Sequence, residues 1–187
     1  PACRLVVGAR RPEAATALRA LAGPERLAIL PLDLASLASA AAFAESGVRL
    51  AVDVAPGVTP VAGRYAALLR GIRELLSNAR HACAEAGPGR AVRLLVAPAP
   101  DGRIDCVVED EGVGIPPQDL ASVFDPFFTT KGALGGRVHD GKVHGTGLGL
   151  AVTRAIAEAH DGELAIVPRT GGGMLATLRL PAVATRA

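Results

Sequence analysis

The sequence predicts an α+β fold, a two-layer sandwich in which a mixed β-sheet carries helices on one face. Three observations predict it. A long helical pattern fills residues 61–85; two pairs of short apolar runs, at 91–110 and 163–181, read as β-hairpins; and the elements follow the order helix, strand, long helix, hairpin, loop, helix, hairpin. Elements of this kind bury their apolar sides by stacking helices on one face of a sheet.

Residues 1–32 are the least patterned. "CRLVVGA" reads as a short strand, "PEAATALRALAG" as a helix opened by Pro12 and closed by Gly23, and "RLAILPLDL" as extended. This segment is expected to be the remnant of a preceding domain and is assigned no function; the start at Pro1 rather than Met suggests an excised fragment or a trimmed N-terminus. The domain proper is set at 33–187. Asp33 serves as N-cap to a helix, "LASLASAAAFAESG", that Gly47 stops. "VRLAVDV" at 48–54 alternates as a strand does, "PGVTP" breaks the chain, and the long helix runs from about Val61 to Glu85. "AVRLLVAPAPDGRIDCVVED" turns on its Pro-Ala-Pro-Asp-Gly segment as a hairpin. Residues 111–146 are glycine-rich and without sustained periodicity; a connection of that length is either disordered or a functional lid, here set at about 115–146. A helix follows at roughly 148–160, and "GELAIVP", a glycine turn at 171–173 and "MLATLRLP" close the chain as a second hairpin.

Composition narrows the function classes. Half of the 187 residues are hydrophobic and 20% are charged, enough apolar surface to build a core. The formal charge of +2 gives no electrostatic footprint for nucleic acid. Cys3, Cys83 and Cys106 are odd in number and lack metal-ligand spacing, which fits reduced thiols in a cytoplasmic protein. The longest weakly polar stretch, "LASLASAAAFA", is too short to span a bilayer, and no signal peptide is legible, so no membrane contact is expected from this segment.

Four constellations carry chemistry. In "IRELLSNARHA", Glu74 and Asn78 stand four apart and share one helical face. That pair is either an ordinary solvated polar face or a set of oxygen ligands for Mg²⁺, which takes few protein ligands and keeps waters and phosphates. "VVEDEGVGIP" ends a buried-looking strand in Asp110 and bends through Gly112 and Gly114. It is either a simple turn or a carboxylate placed to accept a hydrogen bond from a flat donor such as adenine's amine. "VFDPFFTTKG" gathers three of the four phenylalanines, as a contact surface or as a local plug, and puts Lys131 within swing of a phosphate. "HGTGLGLAVTRAIAEAH" sets Gly145, Gly147 and Gly149 at alternate positions where a helix begins. Each interior glycine costs about 0.5–1 kcal/mol relative to alanine. The stretch is either a flexible turn or a backbone that approaches an anion beside a helix N-terminus.

In this order the four stretches resemble the GHKL (Bergerat) ATP-binding fold, and specifically the catalytic domain of sensor histidine kinases, over roughly residues 33–181. The resemblance implies ATP and Mg²⁺ as cofactors. It implies that Asn78 ligates Mg²⁺, that Asp110 with Gly112 and Gly114 binds adenine, and that Gly145, Thr146, Gly147, Leu148 and Gly149 shape the triphosphate site and lid hinge. It further implies that Thr177 assists adenine binding. Two departures stand out. His81 occupies a position where many members carry Lys or Arg, leaving Arg80 or Lys131 to replace that phosphate contact. Glu74 resembles the general base of GHKL ATPases, where many kinases with this phenylalanine motif have Asn; in a kinase it orients or deprotonates the acceptor imidazole.

The implied function is transfer of the γ-phosphoryl to a histidine on a dimerisation domain outside this chain, with a downstream response regulator and a homodimeric parent protein. The alternatives are a GHKL ATPase in which Glu74 activates water and a non-catalytic nucleotide-gated module.

Overall fold

The computed structural model describes residues 46–129 and 146–183; the predicted elements before residue 46, Lys131 and Gly145 lie outside the described residues. Five strands form one sheet: β1 (Arg49–Val54), β2 (Ala91–Pro98), β3 (Ile104–Asp110), β4 (Glu163–Pro168) and β5 (Met174–Leu180), in the spatial order β1-β2-β3-β5-β4. β1 and β2 are parallel, joined through the long helix α1 (Tyr65–Ala86), and every other pairing is antiparallel, so the sheet is mixed as expected. A second helix, α2 (Gly149–Glu158), precedes β4, and a single 3-10 turn at Pro117–Asp119 stands at the start of the long connection.

Alternation along the strands decides which side is covered. β3 buries Ile104, Cys106, Val108 and Asp110 and leaves the residues between them half-buried. β2 turns Val92, Leu94 and Val96 the same way, and β5 adds Leu178 and Leu180. Against this face α1 lays one stripe, Leu68, Ile72, Leu75, Leu76, Ala79 and Cys83, at the three- and four-residue spacings of a helical side. At about 25 cal/mol per Å² of apolar surface removed from water, this shared layer is the main stabilising term. The opposite face is charged. Arg179 of β5 sits in register between Asp105 of β3 and Glu163 of β4, reaching them at 2.7 and 3.5 Å, and Arg93 meets Asp53 at 2.7 Å. Opposite charges directly across strands, as at Arg179, or on the diagonal, as at Arg93 and Asp53, support pairing and keep that face soluble.

The long helix starts at Tyr65, later than its apolar pattern suggests. Val61 instead forms an antiparallel bridge with Ala182, and the Val183 N–H donates to the Pro60 carbonyl at 2.7 Å, so the chain before the helix is held by the segment that leaves β5. Arg64, the N-cap, has no side-chain cap; its backbone N–H donates to His160 Nε2 at 3.0 Å.

Candidate functional site

Three elements meet around a cavity of about 340 Å³. α1 supplies one wall through Glu74, Asn78 and His81, which lie beside the stripe that packs on the sheet. β3 contributes Val108 and Asp110, followed by Val113, Gly114 and Ile115 of the turn beyond. The third wall is the entry to α2, with Thr146, Gly147 and Gly149. Met174 and Ala176 of β5 and Ile166 of β4 complete an apolar floor beside Asp110. Apolar walls with a few fixed polar groups are the usual make-up of a small-molecule site.

Asp110 is buried at the end of its strand, and its orientation is fixed by backbone. Its Oδ1 accepts from the Gly112 N–H at 2.8 Å and from the Met174 N–H at 3.3 Å. Gly112 itself does not line the cavity. A Cβ there would collide with Ala82 and lie 2.8 Å from Asp110 Oδ1, so this position is glycine because α1 and the carboxylate close over it. Gly147, at φ +66°, accepts the Phe127 N–H at its carbonyl (2.9 Å), and a Cβ on it would run into the Phe127 backbone. Only glycine suits both the left-handed conformation and the contact. Phe127 is itself left-handed, at φ +68°, and 73% exposed, whereas Phe128 lines the cavity. Of the motif's three phenylalanines, Phe128 thus lines the cavity, Phe127 is exposed, and Phe124 lies 5.4 Å from the Arg154 guanidinium.

Gly149 opens α2, where a Cβ would stand 2.8 Å from Glu74 Oε2 and 3.7 Å from Asn78 Nδ2. The unpaired N–H groups of a helix start, which favour negative charge, therefore lie next to the two oxygen-bearing side chains of α1. For magnesium the donor set fits: Glu74 and Asn78 are oxygen-bearing side chains one helical turn apart, and both line the cavity. Among the described residues no three His, Cys, Asp or Glu side chains gather into a metal cage. A cation here would complete its shell with phosphate and water, as Mg²⁺ does.

Four expected site residues are placed differently from the rest. Thr177 pairs with Val107 and Ala165, on the sheet face away from the cavity; the alternation that brings Met174 and Ala176 to the floor turns Thr177 outward. The neighbour of Asp110 on β5 is Met174, which corrects the expectation for Thr177. Arg80 does not line the cavity; its Nη2 donates to His81 Nε2 at 2.9 Å, so it reaches the site only through that ring. Leu148 is the N-cap of α2, half-buried outside the cavity, and accepts the Val152 N–H at 2.8 Å. Gly112 acts through packing, as above. The floor residues were missed, although the period-two pattern of "MLATLRL" contained the signal.

Several groups with shifted titration lie outside the cavity walls. Burial pushes the Cys106 thiol up to about 12, and burial also raises Cys83, whose Sγ–H donates to the Ala91 carbonyl at 3.4 Å. Hydrogen bonds to carboxylates raise three guanidinium groups, Arg93 through Asp53, Arg169 through Glu109 and Arg179 through Asp105.

A two-layer fold with an Asn-bearing helix, a strand-end Asp and a glycine-opened helix around one cavity defines a class of ATP-binding domain. The chain belongs to the histidine kinase-, DNA gyrase B- and HSP90-like ATPase family, whose model matches residues 63–184. Within that family it is an ATP-binding catalytic domain of the sensor histidine kinase type. It is 35% identical over 136 residues to the histidine protein kinase DivJ of Caulobacter vibrioides, covering 73% of this chain and 21% of that protein. It is 34% identical over 122 residues to the sensor histidine kinase GtrS of Pseudomonas aeruginosa, covering 65% and 22%. The chain thus spans about a fifth of the length of these curated relatives. Among solved structures it superimposes on the mycobacterial sensor histidine kinase MprB with a TM-score of 0.61, at 26% identity and over 79% of this chain and 90% of that one. Full-length ShkA, solved in complex with AMPPNP, shares the fold at a TM-score of 0.64 and 21% identity, over 99% of this chain and 41% of that one. No helix among the described residues is long and apolar enough to cross a membrane.

Proposed function

We propose that this chain holds Mg·ATP and presents the γ-phosphoryl to a histidine on a dimerisation domain outside it. The observation that carries the reading is the meeting of Glu74 and Asn78, Asp110 and the start of α2 around one cavity. Asp110, aimed by two backbone N–H groups, accepts a hydrogen bond from the adenine amine, with the ring against Val108, Met174 and Ala176. The triphosphate extends toward Gly147 and Gly149, and Asn78 offers its amide oxygen to the metal. Bound magnesium would supply charge neutralisation, which matters because Glu74, Glu85 and Asp110 all face the cavity.

His81, Lys131, Thr146 and the Gly145 hinge belong to the same phosphate-handling set, within a domain running from Asp33. Glu74 orients the incoming imidazole or takes its proton; the nucleophile already carries a lone pair, so positioning and charge balance supply most of the catalysis. The parent protein is read as a cytoplasmic-facing homodimer that passes its phosphoryl to a response regulator.

A transfer assay with labelled ATP tests this. The chain alone should acquire no acid-labile, base-stable label. His160 in particular is no acceptor: its Nε2 takes the Arg64 N–H, and its Nδ1 lies 2.6 Å from the Ile156 carbonyl, so both ring nitrogens are engaged. A matching dimerisation domain added in trans should become labelled. Phosphate release to water at an undiminished rate without that domain would favour the ATPase reading of Glu74, and binding without turnover would favour the nucleotide-gated module.

A further inference from the structure

The carboxylate that faces the base lies between two others. Glu109, Asp110 and Glu111 are consecutive at the end of β3, and the β4–β5 turn that covers them contains Gly171, Gly172 and Gly173, all at positive φ. Such a turn has little stiffness of its own, since glycine loses more backbone freedom on ordering than any other residue. Arg169, at the start of this turn, uses its whole fork to hold it. Nε donates to Glu109 Oε1, Nη2 lies 3.8 Å from Glu111 Oε1, and Nη1 donates to the Gly172 carbonyl at 3.1 Å. Its backbone N–H donates to the Gly173 carbonyl at 3.0 Å, and its own carbonyl accepts the Gly172 N–H at 3.1 Å. A planar guanidinium with charge-assisted bonds in fixed directions is suited to such a task, and an ammonium would make fewer of them.

The clamp leads directly to the site. Gly173 is pressed against the Asp110 backbone so closely that a Cβ would overlap the Asp110 carbonyl, and the next residue, Met174, donates its N–H to Asp110 Oδ1. Glu111 is tied from its other oxygen, which accepts the Ala91 N–H at 3.0 Å, so the clamp is anchored to β2 as well. We propose that Arg169 is a positioning residue for base recognition: by joining Glu109 and Glu111 to the triglycine turn it keeps the Met174 N–H on Asp110 and the carboxylate aimed at the purine. The inference rests on the reading of Asp110 as the adenine-binding group. Arg169 also withdraws two flanking negative charges from the neighbourhood of Asp110 by pairing them, so its loss disturbs both the aim and the field of that carboxylate.

The test is a double-mutant cycle on the full chain, reading the affinities of Mg·ATP and Mg·GTP by competition against a fluorescent ADP analogue. Arg169→Ala should weaken ATP about tenfold, within the range for partners in one hydrogen-bonded network, and leave GTP within about twofold. The preference for adenine therefore falls. Arg169→Lys, which keeps the charge but not the fork, should recover part of the loss. In an Asp110→Asn background Arg169→Ala should cost ATP nothing further, because the residue acts through Asp110. Equal weakening of ATP and GTP, or additive effects of the two substitutions, would overturn the inference. If Asp110→Asn alone leaves ATP affinity unchanged, the base-recognition reading fails first, and that outcome is distinct from a normal Asp110→Asn response with a silent Arg169→Ala.

Discussion

Asp110→Asn isolates the charge and donor pattern of one oxygen while sparing the fold. The carboxylate Oδ1 accepts the Gly112 and Met174 N–H groups at 2.8 and 3.3 Å, and an asparagine carbonyl can accept both. The turn after β3 and the glycine turn above it should therefore persist, and the melting temperature should change little. What changes is the second atom, from an acceptor to an NH₂ donor, which then opposes the adenine amine. A hydrogen bond to a charged group contributes about 1.5–3 kcal/mol. Losing it weakens binding about 10- to 150-fold. ATP and ADP should suffer alike, because the base is common to both. Inosine triphosphate, whose ring carries an acceptor in place of the amine, should gain relative to ATP in the variant. Isothermal titration with the three nucleotides, beside a melting curve, measures all of this. Unchanged ATP and ADP affinities at an unchanged melting temperature would refute the assignment of Asp110.

Asn78→Ala should remove most of the Mg²⁺ dependence of ATP binding while adenosine, which has no phosphates, binds as before; equal loss of adenosine, read by the same titration, would mean that α1 had been disrupted instead. Cys106 gives a pH dependence whose sign is fixed. Its thiol is raised from an ordinary 9.0 to about 12, so between those values the unfolded chain has released a proton that the native one keeps. The native state binds more protons in that window, so stability falls as pH rises from 9 toward 12 and the contribution is fully present below 9. Chemical denaturation of wild type and Cys106→Ala at pH 8 and 10.5 should show a smaller pH dependence for the variant; identical pH dependences would contradict the burial argument.

The fold was legible where one period dominated. The long helix shows its apolar stripe from Leu68 to Cys83, and both hairpins show alternation bounded by turn residues, so the two-layer arrangement follows from the order of elements. Local pattern alone did not place the start of α1, because Val61 is apolar and its partner, Ala182, lies at the far end of the chain. The site was legible through its punctuation. Gly112 and Gly147 mark places where a Cβ has no room, and sequence shows such places as glycines without showing what fills them. The error at Thr177 has the same origin. A hydroxyl suits a polar site by chemistry, but strand parity decides which face it occupies, and parity puts Met174 and Ala176 toward Asp110. Arg169 was invisible for another reason: its partners Glu109 and Glu111 are about sixty residues away and come together only through the pairing of β3 with β5.

The spacing between Glu74, Asn78 and the start of α2 is set well away from the cavity. α1 and α2 run antiparallel, and their contacts fall at three levels. At the far end the Arg64 N–H donates to His160 Nε2 while the same ring engages Ile156 through Nδ1, so one imidazole joins the start of one helix to the last turn of the other. In the middle, Gly71 leaves room for the buried Thr153, whose methyl would stand 3.4 Å from a Cβ on that glycine. The Thr153 hydroxyl donates back to the Gly149 carbonyl at 2.8 Å, tying the mid-helix contact to the first residue of α2. At the near end Gly149 meets Glu74 and Asn78. Two anchored levels along two rigid helices fix the third, functional level more tightly than a loop could, because a shift there must also shift a packed methyl and a hydrogen-bonded ring. The glycine-opened helix therefore keeps its N–H groups beside the oxygens of α1, and the residues that secure this, His160, Gly71 and Thr153, do not touch the cavity.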